Sequence, residues 1–374
     1  MTPSDIRLLP RSAALRWLLA VTLLSIALRL VLPPEVVESL YSRRLFPGIR
    51  VAFDATLGRL PFPLFFLFWT VIAFLVGRQI YRFVRASRGR TGEKTRILRQ
   101  TARLAVQLVA VLITAFLWLW GFNYGRVPVE SQLGFSQYQP DVAELRERVY
   151  TTATRLADYR RKISPDSFAL TEADFPADLE ASMRPLVAAA LHRHGYPSAG
   201  RPRGWELLPR GILLRLGTAG VYWPWVAEGH IDAGLHPLQK PAVMAHELAH
   251  AYGFGDEGTC SFWAYLAGYE TEAPALQYAL ELSYWRQLAG MLRYADPEGY
   301  LTWRHEDLDP GIRNDLQAIY DNGDLYQDLA PALRDATYTA YLKAQGIHEG
   351  LLNYGRVVQL VEGYRRQAAR WRES

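Results

Sequence analysis

Three long apolar stretches in the first third of the chain constrain its fold more than any other feature. Leu15–Leu32 spans 18 residues and is broken only by Arg16 and Arg29 near its ends. Pro61–Gly77 carries no charge, and its apolar pattern runs on past Arg78 to Val84. Leu104–Phe122 has Gln107 as its only strongly polar side chain. A helix needs about 20 such residues to cross ~30 Å of hydrocarbon, where its backbone polar groups can be satisfied only within the helix. The sequence therefore predicts transmembrane helices at 15–32, 61–84 and 104–122, with Trp17, Trp69, Trp118 and Trp120 as interfacial anchors. The first stretch follows basic residues, as a signal peptide does. It ends in Leu32-Pro33-Pro34 rather than at a small-residue cleavage site, so an uncleaved span is expected.

Charge divides along the same line. Residues 1–122 hold 17 Lys/Arg against 5 Asp/Glu, and residues 123–374 hold 25 against 32. The acidic remainder has no phosphate-neutralising footprint, so no nucleic-acid partner is expected. Nine basic residues (Arg78, Arg82, Arg85, Arg88, Arg90, Lys94, Arg96, Arg99 and Arg103) and one acid, Glu93, fall between the second and third stretches. Only Arg43, Arg44, Arg50 and Arg59 fall between the first and second. The positive-inside rule puts the nine-charge loop in the cytoplasm. Counting crossings places the N-terminus inside and everything beyond Phe122 outside. In a bacterium that means an inner-membrane anchor, 1–122, with an extracytoplasmic domain, 123–374, in the periplasm. The lone Cys260 excludes a disulfide framework or a cysteine-built metal cluster.

Beyond Asn123 the pattern is helical with loop punctuation. Helices are expected at 142–162, 179–194, 241–252, 257–269, 274–294, 312–322, 329–345 and 354–372. Two β-like runs, Gly211–Leu216 and Gly220–Val226, stand among them, with Pro224 marking an edge strand. The expected fold is a three-helix membrane anchor plus a mainly helical α+β domain with a small sheet.

The chemistry concentrates at His246-Glu247-Leu248-Ala249-His250, an HExxH motif. Histidines four apart share a helix face, so both imidazoles reach one metal ion, with zinc the expected one. Glu247 then stands beside the metal to take a proton from water. The flanking Val243, Met244, Ala245, Ala251 and Tyr252 are uncharged, as a buried metal-bearing helix requires, and Gly253 sits where a helix would stop. A catalytic zinc needs a third protein ligand. Glu257 opens the next expected helix in a Glu-x-x-Cys-Ser pattern, similar to the third-ligand helix of gluzincins. Asp256 completes HExxHxxGxxD, the metzincin spacing with Asp for His, but no Met-turn follows. Glu257 is preferred, with Asp256 as the alternative; the one not used would cap the helix or orient a histidine.

These landmarks resemble a bacterial family of unknown function, best populated in Bacteroidetes, with three N-terminal spans and an extracytoplasmic gluzincin-like domain. The resemblance rests on Gly121-Phe122-Asn123-Tyr124-Gly125-Arg126, Gly220-Val221-Tyr222-Trp223-Pro224 and Ala245–His250 with Gly253-Phe254. Ala340-Tyr341-Leu342-Lys343 and Tyr354-Gly355-Arg356 complete it. Family members follow the histidines with a Glu-Asp-Glu-Ala-Asn-Phe-like segment; here Glu257 matches its first glutamate, and Thr259, Cys260 and Ser261 replace the next glutamate, alanine and asparagine. The resemblance implies a zinc-peptidase-like fold and supplies no substrate.

On this reading His246, His250 and Glu257 hold one zinc ion and Glu247 is the general base for hydrolysis of peptide or protein substrates of the cell envelope. An oxyanion donor is sought among Tyr222, Tyr252, Tyr354 and Arg356. The residues just upstream of the motif stand where an edge strand pairs with an extended substrate, and Tyr222, Trp223 and Trp225 either line a cleft there or fill a core. His230 and His236 flank that strand. His192, His194, His305 and His348 are expected in surface or capping roles, and Cys260 as a small buried apolar group. The rival readings are a catalytically silent zincin-like protein that binds peptides or a partner, and a zinc hydrolase of peptidoglycan cross-links. The intact Glu247 favours an enzyme.

Overall fold

Helix α1 (Ala13–Val31) opens the computed structural model, which describes residues 13–87 and 91–373. It runs into α2 (Pro34–Val36), a π-helical stretch Val37–Leu45 and α3 (Phe46–Ala55). Helices α4 (Leu64–Ser87) and α5 (Thr91–Leu119) follow. Of these, α1, α4 and α5 are long and apolar enough to cross a membrane, as expected. The basic segment between the second and third is largely helical rather than loop. Arg78, Arg82 and Arg85 extend α4, and Lys94, Arg96, Arg99 and Arg103 lie in the first half of α5; Arg88 and Arg90 lie outside the described residues. Arginine and lysine are good helix formers whose long stems carry the charge away from an apolar surface, so the helices need not stop where the charges begin.

Helix α5 packs against both α1 and α4. Thr22 and Thr114 bring their hydroxyls within 2.9 Å, and Trp118 Nε1 donates to Ser25 Oγ at 2.9 Å. Lipid tails are as apolar as leucine, so such polar contacts and close packing hold spans together where the hydrophobic effect does not.

The link between α1 and α4 is not the simple loop its position suggests. Val37, Tyr41 and Phe46 share one buried apolar cluster with Leu117, Trp120 and Phe122 at the end of α5 and with Tyr222 and Ala251. Arg50 Nη1 donates to the Ala227 carbonyl at 2.6 Å, and Ser42 Oγ to Asn123 Oδ1 at 2.8 Å. These contacts cross the boundary expected at residue 122, so the two parts are packed together.

The remaining helices are α6 (Val129–Leu133), α7 (Val142–Ile163), α8 (Leu179–Arg193), α9 (Lys240–Ala251), α10 (Glu257–Ala267), α11 (Pro274–Ala295), α12 (Pro297–Glu306), α13 (Pro310–Asp324), α14 (Pro331–Ala344) and α15 (Arg356–Glu373). Those expected from sequence are present with ends shifted by a few residues, and α6 and α12 are additions. Sequence chemistry sets several of these ends: Asp141 and Glu144 form a reciprocal cap on α7, and Gly253 takes φ +94° just after α9. The core wraps α9, whose Ala245, Leu248 and Ala249 are fully buried among Met183, Phe262, Trp263 and Trp285 of α8, α10 and α11.

The sheet has three short strands in the order β1-β3-β2: β1 (Arg203–Leu207), β2 (Gly220–Trp223) and β3 (Glu228–Asp232). β1 runs parallel to β3, and β2 antiparallel to it from Gly220 opposite Ile231 to Trp223 opposite Glu228. The run Gly211–Leu216 is not the strand its composition suggests. The buried Asp232 carboxylate gathers the N–H groups of Gly211, Leu213 and Leu214 at 2.7, 2.7 and 3.1 Å and folds that segment into turns around itself. The central strand, Glu-Gly-His-Ile-Asp, is wholly buried yet mostly polar, so no apolar alternation advertises it.

Candidate metal centre

Helix α9 places His246 and His250 one turn apart, and the Asp256-capped start of α10 brings Glu257 against them. His246 Nε2 lies 3.1 Å from His250 Nε2 and 3.0 Å from Glu257 Oε2, and His250 Nε2 lies 3.4 Å from the same oxygen. Three donors bound at about 2.0–2.1 Å in a tetrahedron stand roughly 3.3–3.4 Å apart, so the triangle has the size such an ion requires.

The far side of each ligand is held. His250 Nδ1 lies 2.7 Å from the Phe254 carbonyl, which only accepts, so Nδ1 carries the proton and the Nε2 lone pair faces the triangle. His246 Nδ1 lies 3.1 Å from Ser261 Oγ, so the serine that stands where the resembled family shows asparagine still reaches the ligand. Glu257 Oε1 accepts from Tyr338 OH at 2.8 Å. Burial would raise the Glu257 carboxyl, but the charge of His250 and the hydrogen bonds from both histidines hold it well below the usual range.

Two other groups compete for the third position. Asp256 Oδ1 accepts from Thr259 N at 2.7 Å, and Oδ2 accepts from Asn353 Nδ2 at 2.8 Å and pairs with Arg356 Nη1 at 2.7 Å. Both its oxygens are engaged at the start of α10. Cys260 groups with His246 and His250 within 4.8 Å. Its sulfur, however, approaches His250 on the Nδ1 side, at 3.2 Å, away from the point where the Nε2 atoms converge. Burial pushes its thiol up to about 12. Glu257 is the donor that completes the triangle.

Glu247 is buried, 4% exposed, and its Oε2 has no hydrogen-bond partner among the described residues. Burial pushes its carboxyl up to about 8. Gly220 of β2 faces it so closely that a Cβ there would lie 2.5 Å from Glu247 Oε1, so only glycine fits between edge strand and carboxylate.

The other residues singled out from sequence divide clearly. Tyr354 stacks on His246 at 6.0 Å, and its hydroxyl lies 3.4 Å from that of Tyr338. Arg356 pairs with Asp256 and, at 2.6 Å, with Glu130, bracing the start of α10. Tyr252 belongs to the main core, and Tyr222 packs on Trp120. Trp223 and Trp225 pack against Phe65, Phe68 and Phe116 of the apolar helices. His230 is fully buried in β3 against Phe65, His236 Nδ1 accepts from Leu238 N at 3.4 Å, and His194 bonds Tyr364 OH at 2.9 Å.

Three contributors carry no sequence motif. Tyr338 sits in an ordinary-looking helix, and its one signal is adjacency to the landmark Ala340–Lys343. Asn353, beside Tyr354, accepts from Gly258 N at 3.1 Å as well as bonding Asp256. Trp120, read as a membrane anchor, donates from Nε1 to the His250 carbonyl at 2.7 Å.

No curated protein and no solved structure matches the chain. One family, described as "Protein of unknown function (DUF3810)", matches it over residues 41–361, from the link helices to α15.

Proposed function

The chain belongs to the DUF3810 family, and from that premise we propose that it is a membrane-anchored, zinc-dependent hydrolase of peptide bonds. One observation carries the reading: three donor atoms 3.0–3.4 Å apart, with the His250 tautomer fixed toward them and a buried, half-unpartnered carboxylate alongside. A divalent cation held by His246, His250 and Glu257 supplies Lewis acidity toward a carbonyl oxygen and acidifies water. Glu247 takes the water proton on its free Oε2 as the carbonyl carbon is attacked, and returns it to the departing amine nitrogen. Tyr354 offers its hydroxyl to the oxygen that becomes negative. The arginine-rich ends of α4 and α5 belong in the cytoplasm, which sets the metal centre on the outer face of the inner membrane. A silent peptide-binding protein would have no use for a carboxylate kept in this position.

The test is metal content and turnover of the purified full chain. About one zinc per chain, cutting of a broad peptide library, loss of cutting with a chelator and recovery with zinc are expected. Cutting that survives complete metal removal would sink the proposal. Tyr338→Phe should weaken zinc affinity by about ten-fold, measured by chelator competition, because it frees the outer oxygen of a ligand carboxylate. An unchanged affinity would remove Tyr338 from the ligand support.

A further inference from the structure

Aromatic side chains mark one level of the membrane part. Phe65, Phe68 and Trp69 lie at the start of α4, and Phe116, Trp118 and Trp120 at the end of α5, so all stand at the end of the spans nearest the globular part. Such rings concentrate at the headgroup layer. The edge strand β2 reaches into this girdle. Trp223 packs on Phe65, Phe68 and Trp69 at 5.5, 5.7 and 5.5 Å, and Trp225 on Phe68 and Phe116 at 5.7 and 5.8 Å. Trp225 Nε1 also donates to the Leu112 carbonyl at 3.0 Å, which lies roughly 10 Å back along α5 from its end at 1.5 Å per residue.

The other end of β2 is at the chemistry, where Gly220 abuts Glu247. Three residues of strand, about 10 Å at ~3.3 Å each, therefore separate the aromatic girdle from the catalytic carboxylate. Trp120 ties the end of the third span to the last turn of α9, through the carbonyl of His250 itself. Glu228 Oε2 fixes the second span likewise by accepting from Leu64 N at 2.8 Å. Among the described residues β2 pairs with β3 alone, which leaves its outer edge for an added strand.

We propose that the substrates of this centre are polypeptides anchored in the same bilayer, cut within a few residues of its surface; the proposal rests on the hydrolase reading above and names its substrate class. A chain that leaves the lipid beside α4 and α5 and pairs with β2 arrives at Glu247 after about three to six residues. There a water oxygen bonds to the carbonyl carbon, the C–N bond breaks and the proton passes through Glu247 to the amine. A free peptide must force its flanks into the headgroup layer to reach the same depth, whereas an anchored one is already concentrated there.

The experiment uses the zinc-loaded full chain in nanodiscs of phosphatidylcholine and phosphatidylglycerol. The probes are one pool of random 16-residue peptides, free or palmitoylated at the N-terminus, with Glu247→Gln as the blank and cut sites read by mass spectrometry. The palmitoylated pool should be cut at least about ten-fold faster, with cuts concentrated within about six residues of the lipid. Equal rates, or cuts lying beyond about twelve residues, would overturn the proposal while leaving the hydrolase intact. No cutting of either pool above the blank would overturn both. A readout independent of turnover comes from a photoreactive residue placed three positions from the lipid. It should cross-link the Glu247→Gln chain within residues 218–225; cross-links confined elsewhere would reject the path along β2.

Discussion

Glu247→Gln should keep its metal at the wild-type level and lose peptide turnover by about 10²- to 10⁴-fold, the range that a positioned general base contributes. The amide matches the carboxylate in volume, so it fits the narrow space left by Gly220, whose absent side chain is what admits residue 247 there. What it loses is the ability to accept a water proton on Oε2, the atom without a partner among the described residues. Stability should not fall. Burial already disfavours the charged carboxylate, pushing it up to about 8, so an uncharged amide is at least as well accommodated. Three measurements on one sample therefore separate the roles. Full metal, full stability and lost turnover assign the base; lost metal would recast Glu247 as ligand support; a loss of turnover below ten-fold would reject it as the base.

The sequence carried this centre well because its logic is local. His246, Glu247 and His250 fall on one helix, Gly253 stops that helix, and Asp256 caps the next, so spacing alone brings the residues close. Glu257 could be preferred over Asp256 but not separated from it, because the separation depends on Asn353 and Arg356, about a hundred residues away, engaging the aspartate. The apolar spans were equally legible, since length and composition decide them. The contacts between the two parts were not. Nothing in Trp120 distinguishes an indole that anchors in lipid from one that bonds the His250 carbonyl, and Trp223 and Trp225 read equally well as cleft or core. The link 33–60 reads as a connector because Arg43, Arg44, Arg50 and Arg59 interrupt its apolar residues and no stretch is long enough to span. Only their partners at the end of α5 and on α9 show what they bury against. Strands β1 and β3 escaped notice for a related reason: Arg-Gly-Trp-Glu-Leu and Glu-Gly-His-Ile-Asp show no hydropathy alternation, and Glu206 and Glu228 find their partners far away, on Lys240 and Leu64 N.

Asp232 illustrates the same point with a large expected effect. Its carboxylate is fully buried at the end of β3 and accepts four backbone N–H groups: Gly211 and Gly234 on Oδ1 at 2.7 and 2.6 Å, Leu213 and Leu214 on Oδ2 at 2.7 and 3.1 Å. Asparagine has one accepting oxygen, so Asp232→Asn leaves two of these donors facing an NH₂ group. Each buried donor without an acceptor costs about 1–3 kcal/mol, and bonds to a charged group lie at the upper end. The variant should be destabilised by roughly 3–5 kcal/mol and melt on the order of 10 °C lower. The consequence reaches the chemistry, because the segment held by Asp232 leads within a few residues to Gly220, and Asp232 N donates to the Ala219 carbonyl at 2.9 Å just before it. Turnover should therefore fall further than metal content, since the histidines stand on α9 while the loosened element is the edge strand. Thermal unfolding of the full chain with metal analysis of the same sample decides it. A melting temperature within about 1 °C of wild type would mean that the four N–H groups find other acceptors, and that pairing with β3 and the aromatic seat on α4 and α5 hold β2 without Asp232.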